Sequence, residues 1–286
     1  MHMNKLQFLS ILLLATFSGF AQSPSARPFT IGVTEILHSN ILNEDRIINI
    51  YLPEGYSKDD SINYPVIYLL DGGADEDFIH IAGLVQFNNF PWIARVPNSI
   101  VVGIANTDRK RDLTYPTTIT EDKQHYPTTG GSAAFMSFIE KELQPFIETN
   151  YSITHDYTLI GQSLGGLFAT EVLFTKPQLF NRYIIISPSL WWDDASLLKQ
   201  HPVILDSTFT QQLDIYIGVG KEGLAPCTIP HVMEVDANLL SEMITYGSAP
   251  HVSVHFDYLP EEDHATVTHQ AVFNAFRILY PEPKEE

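Results

Sequence analysis

Residues 157–168 read Tyr-Thr-Leu-Ile-Gly-Gln-Ser-Leu-Gly-Gly-Leu-Phe, and this stretch limits the possible folds more than any other. Thr158-Leu159-Ile160 is a short apolar run suited to a buried strand. Gly161-Gln162-Ser163-Leu164-Gly165 then forms a G-x-S-x-G turn, in which the glycines keep side chains out of a crowded bend. The small residues Gly166 and Ala169 follow, and they let a helix pack closely on a sheet. A strand that turns this sharply into a helix belongs to a βα unit, and a βα unit needs neighbouring parallel strands.

The rest of the chain provides them. Residues 30–37 and 46–52 alternate as half-buried strands with an antiparallel start. Residues 64–70 form a near-continuous apolar run ending at Asp71-Gly72-Gly73, as a central parallel strand does. Residues 99–105, 183–186, 213–219 and 251–259 give further strands. Helical spacing appears over 132–148, 231–246 and 265–279. Strands alternating with helices predict an α/β architecture, a mostly parallel central sheet with helices on both faces. The longest irregular stretch, 106–130, is long enough to be functional or disordered.

At 286 residues and 44% hydrophobic content the chain suffices for one large core. Lys5, the apolar run 6–20 and the small-x-small Gly19-Phe20-Ala21 read as a secretory signal peptide over 1–21. Residues 22–286 are then a single domain, and the protein is expected in the periplasm or secreted. No cysteine lies near that cleavage site, which excludes a lipoprotein anchor there. No other stretch is long and apolar enough to span a bilayer, so no stable membrane insertion is expected after cleavage. Cys227, the sole cysteine, cannot form an intrachain disulfide and reads as a small structural side chain. The net charge of −18 argues against nucleic acid and anionic membranes as partners. Oligomeric state is not written in the sequence.

A nucleophilic serine needs a base, and the base needs an orienting acid. On doubly wound sheets of this kind the chain order is Ser, acid, His. His264 lies in the last loop, directly before the final helix. His269 lies inside that helix and His255 inside a strand, so both fit the role less well. Glu222 lies just past the strand 213–219, at a carboxyl end where catalytic groups collect. Asp214, Asp236 and the adjacent Asp263 compete with it. The oxyanion needs two backbone N–H groups. Leu164 supplies one, and Gly72 or Gly73 is expected to supply the other. No H-E-x-x-H, cysteine cluster or phosphate-cradling G-x-x-x-x-G-K is present, so neither metal nor cofactor is expected.

With these motifs in view, the chain resembles the esterase D / enterochelin-esterase-like family of α/β-hydrolases. The resemblance covers nearly all of residues 30–280. It is carried by Tyr64-Pro-Val-Ile-Tyr-Leu-Leu-Asp-Gly72, the segment 101–113, Gly161-Gln-Ser-Leu-Gly-Gly-Leu-Phe168, Ser187-Pro-Ser-Leu-Trp-Trp192 and Asp263-His264. It implies an α/β-hydrolase fold and carboxylic-ester hydrolysis through an acyl-enzyme. The family's serine and histidine match Ser163 and His264, and its acid falls around Glu222. Gln162 stands where histidine is common, at a position that is not a catalytic member. Family substrates range over siderophore trilactones, feruloylated polysaccharides, S-formylglutathione and mycolyl esters, so the resemblance fixes reaction class rather than substrate. Export excludes the cytosolic S-formylglutathione role.

The expected partner is a small-molecule or glycan-linked ester. Arg109 and Arg111 could bind an anionic or catechol-bearing group, or pair with Asp108 or Asp112. Trp191 and Trp192 could stack on an aromatic or sugar moiety, or pack into the core. Two rivals share the scaffold: an acyltransferase, and a catalytically silent binding protein. The intact serine and histidine argue against the second.

Overall fold

In the computed structural model the residues described are 27–59, 61–248 and 250–280. The signal peptide expected over 1–21 lies outside them. Residues 31 onward form one unit built on an eight-stranded sheet. The strands are β1 (Val33–Ser39), β2 (Glu44–Tyr51), β3 (Tyr64–Leu69), β4 (Ile100–Ile104), β5 (Ile153–Gln162), β6 (Arg182–Ile186), β7 (Leu213–Gly220) and β8 (Val252–Leu259). Their order across the sheet is β1-β2-β4-β3-β5-β6-β7-β8. β1 pairs with β2 and β2 with β4 antiparallel, and every pairing from β4 to β8 is parallel.

Alternation along each strand divides the core into two layers. Val66, Tyr68, Leu159, Ile185 and Ile217 face one side, together with Phe135, Phe138, Leu167, Phe168, Val172, Leu240 and Ile244. Ile67, Leu69, Ile160, Ile184 and Tyr216 face the other, with Ile81, Val85, Ala271, Val272 and Phe276. The first layer therefore packs α4 (Ser132–Phe138), α5 (Gln144–Asn150), α6 (Leu164–Thr175) and α8 (Met233–Gly247). The second packs α1 (Phe78–Asn88) and α9 (Val267–Leu279). A turn of π-helix, Ile139–Leu143, joins α4 to α5.

Two differences from the sequence reading have physical causes. Helix α1 shows no helical signal in the sequence because apolar residues stand at 78, 79, 81, 82, 84, 85 and 87. That leaves little of the polar face that marks a surface helix. The stretch 106–130 is also more regular than expected. It holds α2 (Arg109–Asp112) and α3 (Thr120–His125), and Asp108 caps α2 by accepting from the Arg111 N–H at 3.1 Å. Side chains pin this stretch to the turn after β6: the Asp193 carboxylate accepts from the Thr118 N–H at 2.6 Å and the Thr117 hydroxyl at 3.0 Å. That turn contains α7 (Trp192–Ala195), in which Asp193, Asp194 and Ala195 all take positive φ. No helix among the described residues is long and apolar enough to cross a membrane.

Candidate active site

Strand order reverses at β3 and β5: from this pair, β4 lies one way and β6 the other. The crevice at such a point, beyond the carboxyl ends of the strands, is where ligands bind on open α/β sheets. Ser163 stands there, between β5 and α6. Its φ of 59° and ψ of −119° are costly for a residue with a Cβ. The neighbours hold it: its N–H donates to the Ile186 carbonyl at 3.0 Å, and its carbonyl accepts from the Ser189 N–H at 3.0 Å. Gly161 explains the motif's first glycine, since a Cβ there would lie 2.3 Å from the Gly165 carbonyl oxygen. Leu164 is the first residue of α6, so its N–H has no intrahelical acceptor and sits at the positive end of the helix dipole.

His264 approaches from the loop after β8 and Glu222 from the loop after β7. The His264 Nε2 lies 3.1 Å from the Ser163 Oγ, and its Nδ1 lies 2.6 Å from the Glu222 Oε2. With the proton placed on Nδ1 by that carboxylate, Nε2 is free to accept from the serine. The Glu222 side chain is 4% exposed and that of His264 46%, so the acid is enclosed while the base faces the cleft. Gly220 allows the two loops to meet, because a Cβ there would come within 2.8 Å of the Glu262 carbonyl oxygen. The Gln162 side-chain amide donates to the His264 carbonyl at 3.0 Å.

The competing acids and histidines lie elsewhere. Asp236 pairs with His231 at 3.0 Å. Asp214 lies near the start of β7, at the opposite end from Glu222, 4.0 Å from Arg182. Asp263 accepts from the Ala265 and Thr266 N–H groups. His269 stacks on His80, and His255 meets Ser253 within β8. Cys227 hydrogen-bonds the Ile229 carbonyl at 3.0 Å, and burial pushes its thiol up, which suits a structural side chain.

A cavity of about 500 Å³ opens over Ser163. His264, Glu222, Leu164 and Ser189 lie at its base, and Tyr126, Trp191, Leu224, Pro226 and Met233 form apolar walls. Arg109 and Lys110 line one side. Lys110 lies 4.7 Å from the centre of the Tyr126 ring. Lys110 and Tyr126 carried no sequence signal, because only the capped turn of α2 and the loop after α3 bring them to the cavity.

Four expected site residues do not face a ligand. The Gly72 N–H donates to the Ile104 carbonyl at 2.9 Å, and a Cβ at Gly72 would fall 2.4 Å from the Gly103 Cα. This glycine serves the approach of two strand ends. The Gly73 N–H donates to the Glu76 carboxylate at 2.7 Å, an acceptor three residues downstream. Neither N–H is free for an oxyanion. Arg111 is turned away from the cavity, binding Glu44 at 2.6 and 3.0 Å and Asp112 at 2.7 Å. Buried Arg46 reaches the same two acids, and the four residues tie β2 to α2. Trp192 is fully buried and donates to the Tyr115 carbonyl at 2.9 Å, so it packs in the core. Trp191 does reach the cavity wall.

Arg109 is at the cavity, but its partner is neither Asp108 nor Asp112. It grips Asp71 with two hydrogen bonds, at 2.6 and 2.9 Å. Burial opposes the charge on Arg109, but the Asp71 carboxylate, with Glu76 and Asp77 nearby, outweighs it, so its pKa is raised. The Asn106 amide donates to both Asp71 and Glu76, at 2.6 and 2.7 Å.

Comparison with known proteins follows the same lines. Residues 39–274 match the model of a family described as "Putative esterase". The ferri-bacillibactin esterase BesA of Bacillus subtilis (strain 168) is 34% identical over 212 residues, 69% of this chain and 73% of that protein. Among solved structures, an IroE-like serine hydrolase from Shewanella oneidensis is 33% identical with a TM-score of 0.77, covering 87% of this chain and 80% of that one. The BES protein from Bacillus cereus is 28% identical with a TM-score of 0.75, covering 90% of this chain and 99% of that one.

Proposed function

The chain belongs to this esterase family, has the α/β-hydrolase fold and is a serine esterase; from that premise we propose that it cleaves the ester bonds of a siderophore through a Ser163–His264–Glu222 triad. The observation that carries the triad is the unbroken line of contacts from Glu222 through His264 to Ser163 at the base of the cavity. The substrate class rests on the named activity of the relative from Bacillus subtilis. The cavity suits it: aromatic walls from Tyr126 and Trp191, and a cationic side from Arg109 and Lys110. Those two cations stand out in a chain whose net charge is −18.

The Ser163 Oγ attacks the ester carbonyl carbon as its proton passes to the His264 Nε2. Glu222 holds the ring in orientation and stabilises the imidazolium that forms. The Leu164 N–H, at the start of α6, donates to the oxygen on which negative charge develops. The C–O bond then breaks, and the alcohol leaves with the proton from His264. Water repeats the attack on the acyl-enzyme with His264 again as base, releasing the acid and restoring Ser163. Export by the segment 1–21 would put this hydrolysis outside the cytoplasm.

The test is labelling with a fluorophosphonate probe followed by peptide mapping. A turnover assay accompanies it, on a ferric siderophore ester and on p-nitrophenyl acetate. The expected result is a label on Ser163, cleavage of both substrates, and loss of both activities in Ser163→Ala. Full activity in that variant overturns the triad. Cleavage of p-nitrophenyl acetate alone overturns the substrate class.

A further inference from the structure

The turn Ser187-Pro188-Ser189 follows β6 and touches both ends of the line just described. Ser187 is fully buried and takes a φ of +41°, a conformation that glycine adopts freely and serine does not. Its N–H donates to the Gly218 carbonyl at 2.7 Å, joining the ends of β6 and β7. Its hydroxyl donates to the Glu222 Oε1. The other carboxylate oxygen, Oε2, is the one that meets His264. At the far end, the Ser189 N–H donates to the Ser163 carbonyl, and its Oγ lies 3.4 Å from the Ser163 Oγ.

Glycine would fit the backbone at position 187 more easily than serine, so the side chain has a use beyond the turn. We infer that Ser187 is a positioning residue, whose hydroxyl fixes the Glu222 carboxylate and draws off part of its charge. The inference rests on the triad reading above. An ionised carboxylate is an acceptor only, and one that is almost wholly enclosed needs a donor at each oxygen. His264 supplies the first and Ser187 the second. Two groups bond this carboxylate, and three further charged groups stand around it. His264 reaches it from the loop after β8, and Ser187 from the end of β6. Glu234, in the first turn of α8, accepts from the Glu222 N–H at 2.8 Å and the Gly223 N–H at 3.0 Å, holding the backbone rather than the carboxylate. Arg109 and Lys110 line the same cavity.

Without the hydroxyl, Glu222 carries more of its charge toward His264 and holds the proton on the ring more strongly. The unprotonated base is then scarcer at a given pH, and the acid limb of kcat/KM moves upward. Looser placement of the carboxylate lowers kcat while leaving substrate binding alone.

The experiment compares Ser187→Gly and Ser187→Ala with the intact enzyme and with Ser163→Ala, on p-nitrophenyl acetate across pH 5–9. Glycine eases the backbone and removes the hydroxyl, whereas alanine removes the hydroxyl and keeps the strain. The expected result is a loss of about tenfold in kcat for both variants, with KM changed less than about twofold. The acid limb should rise by about half a pH unit in both. If only the backbone matters, Ser187→Gly matches the intact enzyme in kcat and in acid limb, and the inference falls. A lower kcat with an unmoved acid limb also overturns it, since slack packing alone gives that result. Activity surviving in Ser163→Ala would instead overturn the triad reading beneath it.

Discussion

Two flanks of Ser163 meet at the same crevice but are built differently. On the β7–β8 flank, Glu222 and His264 come from the loops after β7 and β8, and they form a line of contacts that ends on Ser163. On the β3–β4 flank, Asp71, Gly72 and Gly73 follow the carboxyl end of β3 and Arg109 lines the cavity, yet they bond mainly within that flank. The first flank is a line of contacts from carboxylate to imidazole to hydroxyl, to which the proposed reaction assigns the proton transfer between Ser163 and His264. The second is a frame of satisfied donors and acceptors, which keeps a cation and the end of β3 in place beside the cavity. Proximity to a strand's carboxyl end therefore does not by itself assign a chemical role. The assignment depends on which polar atoms remain available.

The sharpest test of the β7–β8 flank is removal of its base. His264→Ala should lower kcat by about a thousandfold or more, and adding Ser163→Ala should cost little further, because the two act as a unit. Additive losses in the double variant would show that they do not. Glu222→Ala should follow, with a loss of about a hundredfold to ten-thousandfold, whereas Asp236→Ala should stay within about threefold, as a residue paired with His231 away from the cavity. A reversed order in steady-state kcat would break the assignment of the acid.

The β3–β4 flank predicts smaller effects and a split between its two arginines. Arg109→Met leaves the mostly buried Asp71 carboxylate without its cation beside the cavity. A fall of about tenfold in kcat/KM on a siderophore ester is expected. Arg111→Met should leave kcat/KM within about threefold. It should lower unfolding stability by about 1–2 kcal/mol in urea titrations, because Glu44 and Asp112 lose a shared partner. Equal kinetic effects of the two substitutions would erase the distinction between frame and cavity.

The flanks also differ in how much of them could be read from sequence. Ser163, Glu222 and His264 follow the chain order of their strands, and each lies in the connection leaving a strand that the sequence pattern marks. The order Ser, acid, His thus follows the chain order of strands β5, β7 and β8. Gly72 and Gly73 offered the right residue type, but the availability of an N–H depends on its acceptor. That acceptor is a carbonyl in β4 for Gly72 and a side chain one turn ahead for Gly73. Arg111 and Trp192 each lie one residue from a neighbour that does line the cavity. A one-residue step along a helical turn swings a side chain by about 100°, and no periodic pattern in so short a segment records which way it points. Ser187 was visible only as part of a resemblance, since its donor role depends on a left-handed backbone that serine does not advertise.

Comparing the flanks by pH requires knowing what the fold itself titrates over the same range, and Glu171 is the group that decides this. It lies in α6, eight residues beyond the nucleophile position and outside the cavity lining. Burial pushes its carboxyl up from an ordinary 4.5 to about 7. A carboxyl raised in the folded state favours folding while it is protonated. That contribution is complete below about pH 4.5 and is lost as pH rises through about 7, on the order of 3 kcal/mol in all. Glu171→Gln keeps the shape and removes the titration. The variant should match the parent in urea stability near pH 4.5 and exceed it by about 1–3 kcal/mol at pH 8. Parallel stability curves across that range would show that Glu171 is not the titrating group. With the expected result, Glu171→Gln becomes the background in which to set the acid limbs of Ser187, Glu222 and Arg109 variants side by side. Shifts confined to the β7–β8 flank then belong to its chemistry and not to a loosening of the whole sheet.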